Sequence, residues 1–416
     1  MNKNIKLAVA GAIFAAASAA QAGIIIPAGE WTVDLSGNVN SFASWQNASA
    51  NNTVLGGLAG SNAQTGSSTS ASQSTGLLPN FLSLSGSTRQ NDLDVTWLIS
   101  LNPGGRSTRA ASGGSGSEHR QAYLTFGDKS WGSVKVGKDL GIYAADAILN
   151  DMTLLGVGNP ANYGTTTGGR IGSGFQYADW KQQIAYTTPN FNGFQATVGI
   201  TQAWNAWSTQ SSTDVADANG NNSVARTYIS AATSGTGGAN NAYEGKASYS
   251  FAANDVNGKI WVSGFAQKVS KVREGETAWS ADIGANVKVA GFDVTGYYFG
   301  GEGTGATFML LDGYTTTGYA RDVDGGYVQV KYTLPTKTVA GISWGQSNLD
   351  LGTGETNAAG TQGNLLKTNE MWTAGIYHPL TKHVNLVAEY SHITSENQRS
   401  QENTNNVGSL GAILFF

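Results

Sequence analysis

The sequence contains no cysteine, so no disulfide can staple it, and a chain of 416 residues must be held by its hydrogen-bonded architecture. Beyond residue 22 no apolar run approaches the ~20 residues that a membrane-spanning helix needs, which excludes helical spans. Lysine and arginine total 24 against 28 aspartates and glutamates, and no basic face emerges that would bind a nucleic acid. Proline is sparse at seven residues. Histidine is down to four residues, His119, His378, His383 and His392, with no His-x-x-x-His pair among them. The reading is therefore of a protein that is not an enzyme, with no catalytic residue, no cofactor and no metal. Asp214, Asp217, Asn219 and Gly220 hint at a calcium loop, but Val215 takes the first ligand position and Arg226 the place of the bidentate acid.

What is present begins with a targeting segment. Lys3 and Lys6 open a basic start, Leu7 to Ala20 is apolar, and Ala20-Gln21-Ala22 offers a small-x-small cleavage site. Residues 1–22 thus read as a secretory signal peptide, with residues 23–416 as the exported domain. Without those two lysines, 22 basic residues face 28 acidic ones, a net charge of −6. Glycine is abundant at 56 residues, against an ordinary usage of about 7 %.

The decisive pattern is alternation. Trp279, Ala281, Ile283, Ala285, Val287 and Val289 fall on one strand face, and Ser280, Asp282, Gly284, Asn286 and Lys288 on the other. Sixteen such runs lie near 31–46, 80–90, 93–102, 120–126, 133–140, 180–188, 194–204, 242–252, 258–270, 277–289, 292–301, 325–333, 338–348, 369–378, 383–395 and 405–416. Tight turns such as Asn91-Asp92 and Ala290-Gly291 alternate with long links rich in Ser, Gly, Thr and Asn. Short turns at one rim and long loops at the other belong to a transmembrane barrel. Hydrocarbon leaves no partner for an unpaired backbone group, so the sheet must close, and sixteen strands enclose water. The expected fold is all-β, a 16-stranded antiparallel transmembrane β-barrel. Trp31, Trp45, Tyr297, Tyr298 and Phe415 stand near strand ends, where interfacial girdles sit.

Between Asp139 and Ala178 the alternation stops, and Ala144 to Met152 has helix-like, apolar content. A long link with its own structure is usually functional, and in a wide barrel it would narrow the lumen. His119 to Leu124, Gly132 to Lys138, the Tyr143…Asp146-Ala147…Asp151-Met152 segment, Gly169 to Gly172 and Tyr186 to Phe194 follow in order. With the first strand Trp31–Asn38 and the terminal Phe416, they resemble the general diffusion porins of Gram-negative outer membranes.

That resemblance implies a homotrimer in the outer membrane whose third extracellular loop, here 139–178, folds into each pore. Outward residues would face lipid, lipopolysaccharide and neighbouring subunits, and small polar solutes would cross passively. It implies a basic wall, with Arg120, Lys138 and Arg170 matching, opposed to loop acids, with Asp146 and Asp151 matching. It also implies that Phe416 is the signal read by the barrel assembly machinery. Leu155 stands where the family has a further loop acid, and Asn38 where it has a first-strand lysine. Two rival readings stay open. A substrate-specific channel for sugars or anions would line its neck differently, with Trp204 and Trp207 as a conceivable track, and a soluble all-β adhesin would pack its apolar faces together.

Overall fold

The computed structural model describes residues 23–49, 53–60, 68–104, 117–160, 166–204, 207–208, 227–228, 241–269, 276–307, 309–315, 318–358 and 362–416. The expected signal peptide lies outside the described residues, as do Asp214, Asp217, Asn219, Gly220 and the side chain of Trp207.

Sixteen long strands form one antiparallel sheet. They are β1 Trp31–Ala48, β2 Phe81–Gln90, β3 Leu93–Pro103, β4 Ala122–Asp128, β5 Gly132–Leu140, β6 Trp180–Thr187, β7 Phe194–Thr201 and β8 Ala242–Ala253. Then follow β9 Val256–Lys268, β10 Thr277–Val289, β11 Phe292–Glu302, β12 Asp322–Thr333, β13 Val339–Leu349, β14 Leu366–Pro379, β15 Val384–Asn397 and β16 Glu402–Phe415. Each pairs with its successor, and β16 returns to β1 with Asn38 opposite Phe415 and Ala48 opposite Asn405. The sheet is therefore a closed ring with no free edge.

The seam is staggered. β1 pairs with β2 only from Thr32 to Asn38 and with β16 only from Asn38 to Ala48. Two short strands fill the steps: Ile24–Ala28 pairs with Trp31 to Leu35, and Thr69–Ser74 with Phe42 to Asn47. A closed barrel requires such shear, and these pieces are too short to show a period in sequence. At one rim the turns are tight. Asn91 and Asp92 have φ of 48° and 62°, and Ala290 and Gly291 have 50° and 85°, the left-handed pairs that match hairpin twist.

Burial runs opposite to that of a soluble protein. On β10 the buried positions are Ala278, Ser280, Asp282, Gly284 and Asn286, while Ile283 is 58 % exposed. Ile342 of β13 is 59 % exposed beside buried Ser343. An apolar face turned out around the whole ring suits hydrocarbon, and a polar inner face suits water. Tyr298 belongs to the outer face at 54 % exposure, but Tyr297 and Phe415 are buried on the inner one. Those two depart from the expected girdle because neighbouring residues on a strand point to opposite sides.

The apolar core lies within the ring and is built mainly by connecting segments. Val54, Leu77, Ala147, Ile148, Leu154, Ile171, Phe175 and Leu365 pack with the inward Tyr297 and Tyr327. No described helix is long and apolar enough to cross a membrane.

Candidate functional site

The link from β5 to β6 crosses the inner face of the sheet. It carries a short helix, α1 (Ala145–Asn150), and a 3-10 turn at Met152–Leu155. Its start is held by Glu244 of β8, whose carboxylate accepts from the backbone N–H of Ile142 at 2.7 Å and of Tyr143 at 2.9 Å. Lys181 and the Thr201 hydroxyl complete the set around Glu244. Further along, the Met152 N–H donates to Gln329 of β12 at 2.7 Å, and the Tyr327 hydroxyl to the Ala147 carbonyl at 2.8 Å. Glu389 of β15 accepts from Val157 N–H at 2.7 Å, Gly158 N–H at 3.0 Å and the Tyr377 hydroxyl at 2.6 Å. Main-chain donors bound to buried carboxylates are charge-assisted and strong. Two wall glutamates on opposite sides of the ring therefore fix the link.

Other segments pack against it. Gln176 Nε2 donates to Thr304 Oγ1 at 2.9 Å and to the Gly305 carbonyl at 2.7 Å. Thr307 Oγ1 donates to the Gly56 carbonyl at 3.0 Å, and the Leu58 N–H to Asn369 Oδ1 at 3.0 Å. Two further long connections, from β1 to β2 and from β11 to β12, thus share the interior with the link.

The five charges expected from the sequence do not form one constellation. Asp146 on α1 meets Lys246 of β8 at 3.0 Å and also Lys259 of β9. Burial pushes the Asp146 carboxyl up, but the two ammonium groups outweigh it and hold it below the ordinary carboxylate value. Asp151 and Arg170 are paired with each other inside the link, 3.7 Å apart and both fully buried. Arg170 is therefore not on the wall; it sits in the link and donates to the Met371 carbonyl of β14 at 2.8 Å. Burial pushes Asp151 up and Arg170 down, each partly countered by the other's charge.

Arg120, just before β4, is ion-paired with Glu118 at 2.8 Å and lies over the Trp180 ring at 5.7 Å. Lys138 departs furthest from expectation. On β5, Lys135 and Asp139 pair on the inner face, so Lys138 shares the outer face with Val134 and Val136. Phe416 bonds back to Gly37, N–H to carbonyl in both directions, at 2.8 and 3.0 Å.

Sequence reasoning missed Lys246, Lys259, Glu244 and Glu389. Their signal was available, since each is a charge at an alternate, inward position of a strand. Which link atoms they would meet was not. Trp204 donates its backbone N–H to Gln267 at 2.8 Å and lies under the Lys181 ammonium at 5.4 Å.

Two stretches imitate catalytic motifs. Gly341-Ile342-Ser343-Trp344-Gly345 has the spacing of a nucleophile elbow, and Gly132 to Lys138 that of a phosphate loop without its final Ser or Thr. Both lie inside paired strands, with neither the strand-to-helix turn nor the helix N-terminus those chemistries need. Among the described residues no cluster of three or more His, Cys, Asp or Glu side chains converges on a metal position.

A family model described as Gram-negative porin matches residues 7–398. The chain belongs to the Gram-negative porin family. Its members are channels of the outer membrane, and this porin is an outer-membrane diffusion channel. No curated protein matches the sequence. Among solved structures, the outer-membrane channel DcaP of Acinetobacter baumannii aligns with TM-score 0.63 at 17 % identity, covering 95 % of this chain and all of that one. An anion-selective porin from Comamonas acidovorans gives 0.57 at 13 % identity, covering 93 % of this porin and 100 % of its own chain. Salmonella typhi OmpF in complex with daunomycin gives 0.56 at 14 %, covering 94 % and 100 %. At such identities the likeness is one of fold.

Proposed function

We propose that residues 139–178 form the neck of a passive pore for small hydrophilic solutes and ions, in a domain spanning 23–416 once residues 1–22 are removed. The reading is carried by one observation: the link is bonded to inward side chains of strands as far apart as β8 and β15. A segment fixed on both sides limits passage by its own bulk. Asp146 against Lys246 and Lys259 supplies opposed charge at the neck. Such fields act strongly between low-dielectric walls and weaken with salt. Asp151 and Arg170 hold the link's shape, while Arg120 serves the rim. Lys138, on the outer face, suits the anionic groups of lipopolysaccharide. Three copies assemble side by side, each with its own pore, and Phe416 is read by the barrel assembly machinery.

Purified protein in a planar bilayer tests the reading. Stepwise ohmic openings, with solute uptake into liposomes falling as solute size rises, are the expected result. A bilayer left without current by correctly folded protein defeats it.

A further inference from the structure

Five consecutive strands, β8 to β12, carry charge on their inner face in a repeated arrangement. Lys246 and Lys259 share the carboxylate of Asp146. Lys288 and Lys331 share that of Asp293, at 3.7 and 3.1 Å. In each triad one carboxylate faces two ammonium groups, an excess of one positive charge among those three side chains. The triads adjoin one another. Lys259 lies opposite Asn286, Lys288 is two residues further along the same strand, and Asn286 Nδ2 donates to Asp293 at 2.6 Å. Diagonal neighbours of that kind are about 7–8 Å apart. The track therefore climbs from the tight-turn rim to helix α1 of the link.

Accessibility decides which charge a solute meets. The four lysine side chains are between 23 and 49 % exposed. The inner acids Glu244, Asp282 and Glu389 are no more than 6 % exposed, and protein donors occupy each of them. At the rim the far wall has the opposite sign, where Arg89 is ringed by Asp92, Asp94 and Asp128. The lysine wall continues inward to the neck, where the other inner-face lysines, Lys135 and Lys181, are each matched by a carboxylate of their own.

We propose that the two triads form a track for small carboxylate anions, which makes this porin anion-selective. The inference rests on the diffusion reading above and adds the sign and class of the solute. Lysine offers compact point charges rather than the planar fork that grips phosphate, and the track contains no arginine. Each ammonium keeps an internal carboxylate as competitor, so an arriving anion is attracted yet released, as conduction requires.

The test is the zero-current potential of the purified porin in a potassium chloride gradient, then with propionate replacing chloride. Wild-type pores are expected to favour chloride over potassium severalfold and to carry propionate. Lys288→Gln with Lys331→Gln shifts the potential toward the potassium value, and Lys331→Arg restores it. Open wild-type pores that favour potassium overturn the inference while leaving the diffusion reading intact, whatever the variants do. Unchanged potentials in the glutamine variant do the same. Absence of any current removes the diffusion reading, and the anion track falls with it.

Discussion

The carboxylate of Glu389 lies 2.7 Å from the backbone nitrogen of Val157, so a wall strand holds the link from β5 to β6 by its main chain rather than by a side chain. Each hydrogen bond to a charged group is worth about 1.5–3 kcal/mol. Glu389→Leu removes the acceptor that both backbone N–H groups use and frees that end of the link. The barrel is expected to fold normally, with single-channel current that fluctuates more than in the wild type. Traces of unchanged variance would show that this contact does not hold the neck.

Asp146 gives the link a defined pH response. Burial favours its neutral form, but Lys246 and Lys259 outweigh that and place its carboxyl below the ordinary 3.8. An acid whose value falls on docking stabilises the docked state where it is ionised. That contribution is in place above 3.8 and is lost as pH falls through the lower docked value. Wild-type current should stay steady from neutral pH to about 4 and become noisy below it. Asp146→Asn should be noisy at every pH, and steady current in that variant at neutral pH counts against the docking role.

Asp151 and Arg170 form a fully buried pair, and such pairs behave asymmetrically. Removing one partner strands a charge at a cost of about 3–5 kcal/mol, whereas replacing both by apolar groups is often close to neutral. Denaturant unfolding in detergent should therefore find Arg170→Met markedly destabilised and the Arg170→Met, Asp151→Leu double variant largely recovered. Equal losses in the two would assign the pair a net stabilising role instead.

Ile283 and Asn286 test the inside-out burial of β10. Arginine at a mid-strand lipid-facing site costs about 2–4 kcal/mol, so Ile283→Arg should lower stability by that amount when refolded into vesicles. Asn286→Ala on the inner face should cost much less. Similar losses at both positions would contradict the assignment of faces.

How far the sequence revealed this arrangement depended on whether period or long-range geometry was involved. The sixteen runs were legible because bilayer and lumen impose opposite polarity on alternate residues, as between Ile283 and Asp282. The short strands Ile24–Ala28 and Thr69–Ser74 were not, because five or six residues cannot establish a period. Asp146 and Asp151 lie in the long link that carries helix-like, apolar content and were found there. Their partners differ for a reason no local pattern holds. Lys246 is 100 residues downstream of Asp146, and only the ring's closure and the link's path bring them together. Lys138 shows that a motif match can name a residue while the alternation around it, through Lys135 and Asp139, already assigns it to the other face.

The staggered seam between β1 and β16 has a consequence for how the cylinder can be made. Its joint is formed by the staves that lie furthest apart in the chain, so no smaller ring exists along the way. Until the sixteenth stave is presented, β1 shows open backbone to whatever surrounds it. Shortening either end leaves an open gutter rather than a narrower tube.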